Sequence, residues 1–206
     1  MAMTQQDKVV LLKGATPEQK KAINYFCPNT GCLGFLGKVS DADYDTLVEE
    51  MVKNANTMKK AIDKIGMDES DLQEIPPVTL VGYEDSKYET QTATGAYRSN
   101  LYTVTHLFFS DSQVFMYTIT FDTVKNNKKE RTEEYFYKDI TNFSTTTDSK
   151  EVFYMTGGCT PKQKRTNIEL QKFALIVPGD KFTCATWGDI EDQVKAMKNK
   201  LREKKA

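Results

Sequence analysis

The sequence predicts an α+β protein in which helices and strands are segregated along the chain. Three observations carry this. Residues 1–76 show helical periodicity and helix caps. After Pro77, short runs rich in β-branched and aromatic residues follow one another with no helical stretch between them. A charged amphipathic segment closes the chain. The implied division is an N-terminal helical region, 1–76, and a strand-rich region with a terminal helix, 77–206.

In the first region, Thr16 with Gln19 forms a capping box, Pro17 falls at the first helical position, and Pro28 ends the helix. "NTGCLGFLGKVS" is too rich in glycine for regular structure and reads as a loop tucking Leu33, Phe35 and Leu36 away. Ser40 with Asp43 opens one long helix, with Tyr44, Leu47, Val48, Met51, Ala55, Met58, Ile62 and Ile65 on one face and Gly66 as its left-handed stop. That stripe must dock on the rest of the protein, because the N-terminal region has too little other apolar surface to cover it. Asp68, Glu69 and Asp71 favour a short helical turn before Pro76-Pro77.

The strand runs are "VTLVGY", "LYTVTHLFFS", "QVFMYTITFD", "RTEEYFYK", "ITNFSTTT", "EVFYMT", "IELQKFALIV" and "KFTCATW". Turn signals lie at Ser110-Asp111-Ser112, Asn126-Asn127, Asp148-Ser149 and Pro178-Gly179-Asp180. Such short connections make the sheet antiparallel, and a sheet of this many strands must curl to hide its edges. Asp189 caps the last helix, whose stripe is Ile190, Val194, Met197 and Leu201; Trp187 packs where the last strand leaves the sheet. The basic ending "KNKLREKK" suits a helix C-terminus.

Composition narrows the function classes. A net charge of -1 over 206 residues gives no field for nucleic acid or an anionic membrane, and no apolar run approaches a bilayer span. The start lacks the pattern of a signal peptide, so a cytoplasmic protein with reduced Cys27, Cys32, Cys159 and Cys184 is expected. "CPNTGC" is half of a zinc knuckle without a second pair, and no metal or cofactor is expected. His106, the one histidine, reads as a packed or surface residue, since a base also needs a positioned partner.

"EEYFYKDITNFS" pauses at Lys138-Asp139 between two strand-like runs. It resembles the strand–corner–strand of bacterial pleckstrin-homology-like domains, with Tyr137, Lys138, Asp139 and Ile140 at the corner. The resemblance covers about Tyr97 to the C-terminus and implies an antiparallel β-barrel closed at one end by the C-terminal helix; the apolar stripe of the N-terminal helices is expected to pack on it. "IGMDESDLQEIPP" is similar to a segment of uncharacterised bacterial proteins and implies no activity.

The same resemblance draws attention to basic loops, since lipid-binding relatives use one. "KNNKKER" offers Lys125, Lys128, Lys129 and Arg131, and "PKQKR" offers Lys162, Lys164 and Arg165. Solvated hairpin tips are the competing explanation, and convergence of both tips at one mouth would favour an anion site. The expected function is a non-enzymatic binding or adaptor module engaging a protein or peptide. The alternatives are anionic-lipid binding through these loops, or a small-ligand carrier or enzyme using the barrel interior. A core filled by Phe115, Tyr117, Phe121, Phe143 and Trp187 would leave no such interior.

Overall fold

The computed structural model describes residues 2–29, 38–67, 76–155 and 162–205. The glycine-rich stretch 30–37, the turn at Asp68, Glu69 and Asp71, Gly157-Gly158, Cys32 and Cys159 lie outside the described residues. Cys27 and Cys184 are buried.

Among the described residues, four helices precede the strands: α1 Gln5–Leu12, α2 Pro17–Phe26, α3 Asp41–Ala55 and α4 Thr57–Ile65. The capping boxes at Thr16 and Ser40 form as expected, and Thr4 with Asp7 makes a third. The single long helix does not. It breaks at Asn56, a residue whose short amide tolerates the left-handed region (φ 47°), and α4 restarts there. Lys8 is buried between α1 and the end of α2, its amine donating to the Cys27 carbonyl (2.6 Å) and Asn29 Oδ1 (2.8 Å).

Among the described residues, nine strands and a last helix follow: β1 Val78–Tyr83, β2 Glu89–Gln91, β3 Tyr97–Ser99, β4 Leu101–Phe109, β5 Gln113–Asp122, β6 Lys128–Phe136, β7 Asn142–Met155, β8 Gln163–Val177, β9 Asp180–Ala185 and α5 Glu191–Lys205. The expected barrel is not there. The strands form three antiparallel sheets, ordered β1-β4-β5-β6, β2-β3 and β7-β8-β9, and none closes on itself. The reason is visible in β6, whose "KKERTEE" puts charge on both faces; such a strand ends a sheet and takes no further partner. The corner at Tyr137–Ile140 therefore carries the chain from one sheet to another. Its amides at Asp139 and Ile140 both donate to the Phe136 carbonyl, and Ile140 is fully buried. The turn expected at Asp148-Ser149 is also absent, because β7 runs unbroken through it against β8.

The four-stranded sheet is covered on both faces. Along β4, Tyr102, Val104, His106 and Phe108 face the helices, while Thr103, Thr105, Leu107 and Phe109 face the second sheet. The helical layer docks as its stripe requires: Tyr44 is fully buried, and its hydroxyl donates to the Ser99 carbonyl (2.7 Å). On the opposite face, Phe143, Phe173, Leu175 and the stripe of α5 form a second core with Leu107, Phe109, Val114 and Met116. α5 thus packs its stripe into the core shared by the two sheets and plugs no barrel. Among the described residues, no helix is long and apolar enough to cross a membrane.

Candidate functional site

The chain leaves β9 and reaches α5 through Thr186, Trp187, Gly188 and Asp189. The Trp187 amide donates to the Val81 carbonyl (2.6 Å), which ties this link to β1. β1 comes this close because residue 82 is glycine; a Cβ there would lie 2.6 Å from the Ala185 carbonyl carbon. Trp187 itself is 43% exposed. It stands where expected, at the exit of the last strand, but outside the core.

Beneath its ring lies Arg98 of β3, with the guanidinium carbon 4.1 Å from the ring centre. Every arm of that guanidinium is occupied. Nε and Nη2 donate to the two carboxylate oxygens of Asp45 (2.7 and 3.0 Å), and Nη1 donates to the Tyr97 carbonyl (2.7 Å). Asp45 comes from the second turn of α3, so the helical layer supplies the counter-ion. Tyr83 of β1 completes the cluster, its ring 5.6 Å from that of Trp187 and its hydroxyl donating to Asp45 Oδ1 (3.1 Å). Burial pushes the Tyr83 hydroxyl pKa up, so it remains a donor. Burial opposes the charge on Arg98, but the bonds to Asp45 and the nearby phenols outweigh it and raise its pKa.

A cavity of about 300 Å3 opens beside this stack, lined by Tyr83, Tyr97, Arg98, Trp187 and, from β8, Glu169 and Gln171. The arrangement suits recognition: a half-exposed indole backed by buried tyrosines, an arginine fixed by a bidentate partner, and a carboxylate at the wall. A larger depression of about 570 Å3 is lined in part by Lys38 and Met155, each next in sequence to residues outside those described.

The basic residues picked out from the sequence do not gather. Lys129 and Arg131 point to the second sheet, opposite Thr120 and Thr118, and line a cleft of about 140 Å3 with Glu84, Phe182 and Thr183. Arg131 is already paired with Glu133. Lys128 lies on the helix-facing side, 5.9 Å from the Phe121 ring centre. Lys125 borders a separate groove with Asp7 and Lys87. Lys162, Lys164 and Arg165 are exposed at the start of β8, and Arg165 lies 3.7 Å from Glu151. With no barrel there is no barrel interior, and Tyr117, Phe121 and Phe143 are fully buried in the two cores.

His106 is 3% exposed on β4. Its Nδ1 meets the Thr79 hydroxyl and its Nε2 the Thr57 hydroxyl, both at 2.9 Å. It latches the start of α4 to the sheet, and burial holds its pKa down at about 4. Among the described residues, no group of three or more His, Cys, Asp or Glu gathers as a metal site.

Sequence reasoning missed Arg98, Asp45, Tyr83, Tyr97 and Glu169. Their only available signal was the chain's one tryptophan between a strand and a helix, since Arg98 and Asp45 lie 53 residues apart. No family model, curated protein or solved structure matches the chain.

Proposed function

We propose that the protein is a non-enzymatic binding module that takes a peptide or protein segment at the Trp187 cavity. One observation carries this reading: a half-exposed tryptophan rests on an arginine that is itself immobilised, at the rim of a cavity of about 300 Å3. Trp, Tyr and Arg dominate the energetics of protein interfaces, and a platform held rigid before binding loses little entropy on capture.

The test uses the tryptophan as reporter, because the chain has only one. Peptides selected from a displayed random library on the folded protein should shift its emission on titration. Trp187→Ala should abolish their capture while leaving the circular-dichroism melt nearly unchanged. Selected peptides that bind the variant as tightly as the parent would place the binding surface elsewhere and overturn the proposal.

A further inference from the structure

The cavity beside Trp187 holds more than aromatic surface, and its charges do not balance. Arg98 contributes a positive charge at the floor, but the Asp45 carboxylate neutralises it through two hydrogen bonds, and its third arm is taken by the Tyr97 carbonyl. Each of its nitrogens already has a partner and the side chain is only 6% exposed, so its charge is spent inside the protein. Glu169 of β8 also lines the cavity, is exposed, and has no ion pair among the described residues. Lys172, the nearest cation along β8, is engaged by Asp148 (3.2 Å) and Asp85 (3.6 Å). The uncompensated charge on the wall is therefore a single negative one.

Electron-rich rings stand around it. Arg98 covers one face of the Trp187 indole, yet 43% of the residue remains exposed. Tyr83 and Tyr97 line the same cavity. An indole face and a free carboxylate converging on one small space select for an organic cation, through the ring quadrupole on one side and charge on the other. The arrangement repeats the protein's own use of the ring, which already carries a guanidinium at 4.1 Å on its covered face.

Deepening the reading of this cavity as a peptide site, we infer that its ligand enters through a cationic side chain, arginine or lysine, seated between Trp187 and Glu169. A peptide with an acidic residue there would be repelled by Glu169, and a neutral one would leave that carboxylate without a counter-charge, since the Arg98 guanidinium is already neutralised by Asp45. Arginine fits better than lysine, because its flat fork stacks on the indole and pairs with Glu169 in one pose.

The experiment titrates the full chain with acetyl-Gly-Arg-Gly amide and its citrulline counterpart, which keeps the shape and loses the charge, following Trp187 emission. The arginine peptide should bind at least about tenfold more tightly than the citrulline peptide. Glu169→Gln, an exposed substitution, should erase most of that difference. Equal affinities for the two peptides, no emission change with either, or an unchanged preference in Glu169→Gln would each overturn the inference. Library peptides that bind at Trp187 without basic residues would overturn it while leaving the peptide-binding reading intact; absence of any peptide binding at Trp187 would remove both.

Discussion

Asp45 and Arg98 place opposite charges almost out of water, with the arginine side chain 6% and the aspartate 22% exposed. Removing one member of such a pair strands the other, a loss of about 3–5 kcal/mol, so Asp45→Ala should lower the denaturant midpoint sharply. Asp45→Ala with Arg98→Met should recover much of it, because no charge is then left buried. His106 gives the second test at this scale. Its folded pKa of about 4 lies below the ordinary 6.5, so the unfolded chain binds the extra proton between those values. Stability from this group is full above pH 6.5 and falls as pH drops toward 4, by at most about 3 kcal/mol. The two threonine hydroxyls can turn to accept from a protonated ring, so the loss comes from desolvation. Comparing pH–stability curves for the parent and His106→Gln isolates the effect from the carboxylates. If the slopes between pH 6.5 and 4 coincide, His106 does not carry it. Residues of this kind are hard to read in a sequence. The basic loops stood out because their charges are neighbours in the chain, whereas Arg98 acquires its meaning from Asp45, Tyr83 and Trp187 through folding alone.

Between elements, the tightest fit is β1 against the end of β9. Gly82→Ala would set a methyl 2.6 Å from the Ala185 carbonyl and 2.8 Å from the Thr186 amide nitrogen, backbone atoms that cannot swing aside. The expected loss is about 1–3 kcal/mol, with a changed Trp187 emission spectrum because the link to Val81 loosens as well. A melt and spectrum identical to the parent would show that the strands separate freely. For α5, Val194→Asp buries an unpaired charge among Phe143 and Phe173 and should abolish the cooperative melt, whereas Lys195→Asp on the wet face should change stability by less than about 0.5 kcal/mol. Elements marked by local chemistry were legible: the caps at Thr16 and Ser40, the stop at Gly66, the turn at Gly179 and the stripe of α5. Elements set by distant partners were not. Asp148-Ser149 has turn composition, yet pairing with Leu170 and Glu169 keeps it extended; the β2-β3 hairpin is too short for a pattern to show.

At the scale of the molecule, helices, a four-stranded sheet and a second sheet with α5 form three layers, and the middle one is buried from both sides. That arrangement corrects the expected barrel, and the cause lies in the highly charged edge at β6 together with the change of sheet at Tyr137–Ile140. It also makes the helical layer indispensable. A fragment 77–206 would expose Val104, Phe108, Ile119 and Phe121 together, so it should aggregate when expressed alone, and light scattering would show this. A monodisperse, folded fragment would mean that the helices are an accessory. The seat of Trp187 depends on the same layering. Its ring lies on an arginine from β3, that arginine is held by a carboxylate from α3, and its backbone is bonded to β1. Occupancy of the ring and docking of the helices are therefore linked quantities, and linkage is reciprocal. A ligand that binds only the stacked ring would raise the free energy needed to peel α3 away, and full release of α3 would weaken that ligand by the same factor. The protein thus has the means to convert an event on its rim into a change in the grip between two of its layers.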